Sequence, residues 1–230
     1  MRLSIDQIGY LCYDVRNNRF GYFGGYDMEK FAALSEEKQT TIRNAALSCF
    51  AQHGYEKTSI NDIAVAAGIS KASMFQYFGT KQALFEYLID YCATQMKQAY
   101  DLYSLSASTD FFDRVWQASV MKVENLKKHP HVAAFITTAA AEKAPEMKEP
   151  LNAMMKAGEQ FTRGFVLREE DLVKFKHPED APLLFQTLML LGHGMANQLE
   201  NGMDYDTVMK EFESILKMLK SNFYKEEYLV

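Results

Sequence analysis

From Glu36 onward, apolar residues return every three or four positions, the spacing of one helix face. Ile42, Ala45, Ala46, Cys49 and Phe50 form such a stripe and predict a helix over about 36–53, ended by Gly54. From Lys81 a long helix carries Leu84, Phe85, Leu88, Cys92 and Met96 on one side and is the mechanical link expected between two domains. Ser104 to Ser108 reads as a loop. Thr109 and Asp110 cap a further helix that carries Phe112, Val115, Trp116, Val123 and Leu126 and closes on Lys127-Lys128, where cations suit a carboxyl end. Pro130 opens the next helix, because proline fits a first turn, and the two prolines between Ala144 and Pro150 mark a break. From Leu151 to about Leu167, Met154, Met155, Phe161, Phe165 and Val166 are predicted to face inward. Ala181 to Leu199 is apolar nearly all round. Leu184, Leu188, Leu191 and Met195 lie on one face, with Phe185, Met189 and Gly192 turned away. A helix apolar on two faces must be buried on two sides. After the Asn201-Gly202 turn, Val208, Phe212, Ile215, Leu216, Leu219 and Phe223 make a second regular stripe. The pattern as a whole predicts an all-α protein.

One stretch, Thr58 to Lys81, carries denser local information than the rest. Ser59 can accept from the free N–H groups opening a short helix, and Asp62 stands in its first turn. Ile63, Ala64 and Ala67 give that helix an apolar stripe; Gly68 can adopt the left-handed conformation that ends it, and Ile69 plugs the turn. Ser70 caps a second helix, Lys71 to Tyr77, which Gly79 closes, and Thr80 caps the helix that follows. Two short helices joined by a glycine turn are the geometry that lays the second in a DNA major groove.

The first 34 residues read differently. They are rich in Tyr, Gly and Asn and show only a weak strand-like alternation, consistent with a hairpin turning at Asn17-Asn18. Met28-Glu29-Lys30 also resembles a translation start, with Gly24-Gly25 upstream as a purine-rich ribosome-binding sequence read as codons, and this second reading is the one taken. The expected domains are therefore an extension (1–34), a helix-turn-helix domain (35–81) and a helical body for effector binding and dimerisation (82–230).

Charge and chemistry narrow the function. The net charge of −5 is unevenly spread: Ser35 to Lys81 carries five cations and four anions, leaving −6 elsewhere. Phosphate attraction is local, since the Debye length is about 8 Å at physiological salt, so an acidic body does not exclude specific DNA binding, although it argues against a nonspecific DNA coater. The three cysteines, Cys12, Cys49 and Cys92, are too few and too widely spaced for a disulfide framework. There is no signal peptide and no apolar run long enough to span a bilayer, so a cytoplasmic protein is expected. His129-Pro130-His131 has a structural reason at a helix start, His193 lies on a buried helix, and no cluster supports a metal. No catalytic constellation, metal site or cofactor motif is present in the sequence, and an enzyme is not expected.

The run from Lys38 to Ile89 resembles the DNA-binding domain of the TetR (tetracycline-repressor-like) family. Phe50 to Tyr55, Thr58-Ser59, Ile63-Ala64, Gly68-Ile69-Ser70-Lys71 and Tyr77-Phe78-x-x-Lys81-x-x-Leu84 carry the resemblance in order and with family spacing. It implies a ligand-responsive regulator, most simply a repressor released from a palindromic operator by a small apolar or aromatic effector. It also implies a homodimer whose last two helices form a four-helix interface, here through Leu184, Leu188, Gly192, Met195, Phe212, Leu216 and Leu219. Thr58, Ser59, Ser70, Lys71, Ala72, Ser73, Gln76, Tyr77 and Lys81 carry over as DNA contacts. Thr58, Ser59, Tyr77 and Lys81 would bind phosphate, while Lys71, Ser73 and Gln76 would reach base edges. Ala72 would allow close backbone approach. Phe75 stands where relatives often carry Tyr, so one phosphate hydroxyl is missing. An effector cavity is implied among the distal helices, with Trp116, Phe135, Met154, Met155, Phe161, Phe165, Met189 and Met195 as candidate lining, although each taken singly also suits ordinary core packing. Two rivals remain: a helical ligand-binding or enzymatic protein with a vestigial DNA-binding domain, and a regulator that binds DNA without an effector. Lys71 and Lys81 speak against the first.

Overall fold

The structure is a computed structural model that describes residues 12–14, 19–21, 29–102, 110–200 and 203–229. The turns expected at Asn17-Asn18 and Asn201-Gly202, the loop at 104–108 and the Thr109 cap lie outside the described residues, as does the His193 side chain. A short antiparallel pair, β1 (Cys12–Asp14) and β2 (Arg19–Gly21), pairs Tyr13 with Phe20. Every other main element is helical: α1 (Glu29–Ala32), α2 (Glu36–Lys57), α3 (Ile60–Ala66), α4 (Lys71–Phe78), α5 (Lys81–Leu102), α6 (Phe111–Lys128), α7 (Pro130–Ala140), α8 (Lys148–Val166), α9 (Asp180–Glu200) and α10 (Tyr205–Phe223).

The chain forms two compact units, Met1–Lys97 with Leu126–Ala157 and Gln98–Asn125 with Gly158–Val230. The first is larger than the 35–81 segment, because α7 and the start of α8 pack with the helices of that segment. The reason is the apolar face of α7: Val132, Phe135 and Ala139 are buried in one cluster with Ala46, Leu47 and Phe50 of α2. Phe85 of α5 joins it, with its ring 4.9 Å from Phe50 and 5.0 Å from Phe135. Polar ties fix the pairing. Thr138 Oγ1 donates to the Ala51 carbonyl at 3.0 Å, and the Glu142 carboxylate accepts from Tyr55 N at 2.8 Å and from the amides of Lys143 and Ala144. Burial opposes the Glu142 charge, but those amides and Lys81 prevail and hold its pKa below the ordinary carboxylate value. Gly54 kinks α2 at this point with φ 71°, a conformation suited to glycine. Burial and the charges of Glu146, Glu86 and Glu142 push the Tyr55 phenol up to about 12, so it stays neutral under the domain.

The second unit is organised by a buried ion pair. Arg114 of α6 and Asp171 have fully buried side chains in direct contact. Arg114 Nε also donates to the Val166 carbonyl at 3.1 Å, and Asp171 accepts from Arg168 N at 3.1 Å and lies 3.6 Å from Lys174. Around it Phe111, Phe112, Phe175 and Tyr224 pack edge to face, with Phe175 and Tyr224 4.9 Å apart and bridged through their backbones. Asp110 caps α6 by accepting from Phe112 N at 2.9 Å. Leu184, Phe185 and Leu188 of α9 and Val208, Phe212 and Leu216 of α10 complete this core.

Phe31 of α1 is buried against Phe78 at 4.8 Å. Removing residues 1–27 keeps this contact, so the truncated chain is expected to bind operator DNA with unchanged affinity. A titration by mobility shift checks this, and a large loss would make the extension part of the interface.

Candidate nucleic-acid interface

The helix-turn-helix is built by local caps. Ser59 and Asp62 form a reciprocal capping box on α3: the Ser59 hydroxyl accepts from Asp62 N at 3.1 Å, while the Asp62 carboxylate accepts from Ser59 N at 3.3 Å. Gly68 takes φ 67° and turns the chain. Ser70 then caps α4 by accepting from Ser73 N at 3.0 Å, and Gly79, at φ 69°, closes it. Met74 and Phe78 are buried, which fixes the rotation of α4 about its axis. The opposite side therefore presents Lys71, Ala72, Phe75 and Gln76 to solvent, with Ser73 and Tyr77 half-buried at its margins. Lys71 Nζ lies 5.9 Å from the centre of the exposed Phe75 ring, a contact that steadies the ammonium on this face. Ser59 and Ser70 are exposed beside the same surface, and Tyr77 leans on Phe31 with ring centres 6.1 Å apart.

Two expected phosphate contacts sit elsewhere. Thr58 is 2 % exposed, and its hydroxyl donates to the carbonyls of Gly54 and Cys49 at 2.7 and 3.1 Å, closing the end of α2. Lys81 directs its ammonium to the carbonyls of Tyr55, Thr58 and Glu56 at 2.9, 3.2 and 3.3 Å, and over the Tyr55 ring at 4.3 Å. An ammonium has three donors, and all three are engaged. Both residues are clamps that set where α3 begins, rather than free phosphate ligands. Lys81→Met is accordingly expected to lower stability by about 1.5–2 kcal/mol, the low end for charge-assisted bonds because the group is only half buried. It should weaken all DNA sequences alike and leave the salt slope of binding unchanged. Binding at two salt concentrations checks this: a slope lowered by about 1 would return Lys81 to the phosphate contacts. Glu142, which holds the same corner from just past the end of α7, is a positioning residue that the sequence does not reveal, because its partner Tyr55 lies 87 positions away.

Residues 42–88, which span this helix-turn-helix and its supporting helices, match the family model described as bacterial regulatory proteins, tetR family. The likeness to the TetR family is therefore carried by the amino-terminal domain. It is 32% identical over 88 residues to an HTH-type transcriptional repressor, Rv3405c, of Mycobacterium tuberculosis, covering 38% of this chain and 45% of the relative. The chain spans about half the length, or less, of the curated relatives it matches. Across the whole fold it is similar to the crystal structure of a TetR family transcriptional regulator from Chloroflexus aurantiacus, with TM-score 0.65 and 21% identity, covering 86% of this chain and 98% of that one. It is also similar to FadR from Bacillus subtilis solved in complex with stearoyl-CoA, with TM-score 0.66 and 16% identity, covering 79% and 97%. These likenesses show the TetR fold, an amino-terminal helix-turn-helix domain followed by a helical carboxyl-terminal domain.

The eight residues expected to line an effector cavity fall into separate groups. Phe135 and Met154 belong to the core of the first unit, and Met155 is exposed at 46%. Trp116, Phe161, Phe165, Met189 and Met195 pack in the second core, where Trp116 stacks near Phe212 at 6.5 Å. The residues expected at a dimer interface are placed differently from the expectation too. Leu184, Leu188, Met195, Phe212 and Leu216 are buried inside the single chain, and Leu219 packs half-buried against them. Gly192 is exposed. The outward face of α9 instead carries Leu183, Thr187, Leu190 and Gly194, all exposed and spaced i, i+4, i+7, i+11. Among the described residues no group of three metal-ligating side chains comes together, and no helix is long and apolar enough to cross a membrane.

Proposed function

We propose that the chain is a dimeric transcriptional regulator that reads a palindromic operator with α4, acts as a repressor, and is released by a small effector bound in its carboxyl-terminal unit. The observation that carries this reading is the exposed face of α4: Lys71, Ala72, Ser73 and Gln76 stand on a helix whose caps and buried Met74 and Phe78 are all committed to holding it rigid. A helix of this length, presented past a glycine turn, fits a major groove. The TetR-family domain and a repressor among the relatives support the regulatory role. The acidic balance outside 35–81 favours a specific site over general DNA coating.

Two copies place two such helices on half-sites about 34–36 Å apart, or at a larger spacing if dimers pair. The pairing surface supported by burial is the exposed stripe Leu183, Thr187, Leu190 and Gly194 of α9, with the exposed Met218 of α10. A Cβ at Gly192 or Gly194 would meet no atom within 4 Å among the described residues, which leaves the space over this face open to a second copy.

The test is selection of bound fragments from the host genome, followed by binding to the selected operator with each base varied. Gln76 sits mid-helix with an amide that can pair with an adenine edge, so Gln76→Ala is expected to cost about 1–3 kcal/mol at one base position and relax preference there. A uniform loss at all positions would mean that α4 lies in the groove with another face inward. An effector that releases DNA must bind the free form better, and operator and effector must oppose each other by the same factor. Failure to select any palindromic sequence would overturn the reading in favour of a vestigial domain.

A further inference from the structure

The face of α6 that carries its buried residues also holds a lysine without a partner among the described residues. Lys122 stands four residues after Ala118, seven after Val115 and three before Asn125, all on one helix face. Those neighbours, and the adjacent Met121, are buried, and the three apolar ones belong to the core of the second unit. The solvent face of α6 lies on the other side, at Asp113, Gln117, Lys127 and Lys128. Lys122 nevertheless keeps much of its surface accessible, although it stands in the buried stripe. Accessible surface in that register is what an opening beside the core would give. Its ammonium makes no hydrogen bond or ion pair among the described residues. Several other cations of this unit are committed: Arg114 to Asp171, Lys220 to Asp110, Lys217 to Glu213 and Lys176 to the Asn222 carbonyl.

From this we infer that Lys122 is the anion-recognition group of the effector site, and that the effector is an apolar monocarboxylic acid whose body lies against Val115, Ala118 and Met121. The inference rests on the proposed effector-binding role and names the chemical class the site takes. An unpaired ammonium within a core is costly unless something neutralises it, and burial lowers its pKa in keeping with that cost. A carboxylate entering the hollow supplies the missing charge, and one lysine balances one negative charge. A phosphate ester carries nearly two charges and would call for a second cation beside the first.

Binding is read on the protein alone, without DNA, through the single tryptophan, Trp116, which lies on the same helix. The probes are decanoate and 2-naphthoate, each beside its uncharged analogue, decanol and 2-naphthalenemethanol. The wild type is expected to bind the acids at least tenfold more tightly than the alcohols. Lys122→Met, which replaces the ammonium by an apolar side chain of similar length, should fold with an equal or higher Tm and bind acid and alcohol within a factor of about three. Lys122→Arg should keep the preference for acids. The inference is overturned if the wild type binds neither acid, if it prefers the alcohols, or if Lys122→Met keeps the full preference. Operator release is measured separately. Acids that bind through Lys122 without releasing DNA would leave this site standing and remove the effector reading above.

Discussion

Replacing Arg114 by Met is expected to destabilise the second unit by about 3–5 kcal/mol, the range for a buried pair that loses one partner. The Asp171 carboxylate would remain fully buried, with Lys174 at 3.6 Å as its remaining cation and the Arg168 amide as a donor. The Val166 carbonyl would lose its donor as well. A negative charge in that position must either protonate or draw water into the aromatic cluster of Phe111, Phe112, Phe175 and Tyr224, and both routes cost stability. The double variant Arg114→Met with Asp171→Leu removes both charges and should recover a substantial part of the loss. Chemical denaturation followed by far-ultraviolet circular dichroism measures both. If the single variant loses less than about 1 kcal/mol, the pair is not the anchor of this unit.

The second large effect separates folding from pairing on one helix. Leu188 is buried and Leu190 is 72% exposed, two positions apart on α9. Leu188→Arg places an unpaired charge in the core, at a cost of several kcal/mol, and should give an unfolded or molten second unit. Leu190→Arg leaves the core untouched and puts like charges face to face at the proposed pairing surface, so it should yield a folded monomer. Sedimentation and circular dichroism together distinguish the outcomes. A folded dimer from Leu190→Arg would place the pairing surface off this face of α9.

The contrast between those two leucines shows what the sequence holds and what it withholds. The helix-turn-helix is legible because its determinants are local: Ser59 with Asp62, Gly68, Ser70 with Ser73, and Gly79 each act within three or four residues. Helix α9 is equally legible as a helix. Its faces are not, because leucine and methionine occur nearly all round and the periodicity gives no reason to prefer Leu184 over Leu183 for the inside. The expected interface therefore named the side that the protomer uses for itself. Lys81 departs from the expectation for a related reason. A cation beside a recognition helix suggests phosphate, but its carbonyl acceptors lie 23 to 26 residues back in the chain, beyond any local pattern. The candidate pocket residues were chosen by type from helices that the fold sends to different cores. Phe135 travels with α7 to the first and Trp116 with α6 to the second, and side-chain chemistry alone does not record that choice.

Cys92 is 1% exposed within the first core, and burial drives its thiol well above the ordinary range. A thiolate is what attacks a sulfur reagent, so this sulfur stays silent while its surroundings hold together. Its labelling rate thus becomes a clock for opening of the DNA-binding half, since modification requires the helices around α5 to part. Trp116 reports on the other half by its emission. Cys92 and Trp116 are thus native reporters, one in each half. Whether the halves melt as one or in sequence can be followed by comparing the labelling rate of Cys92 with the emission of Trp116.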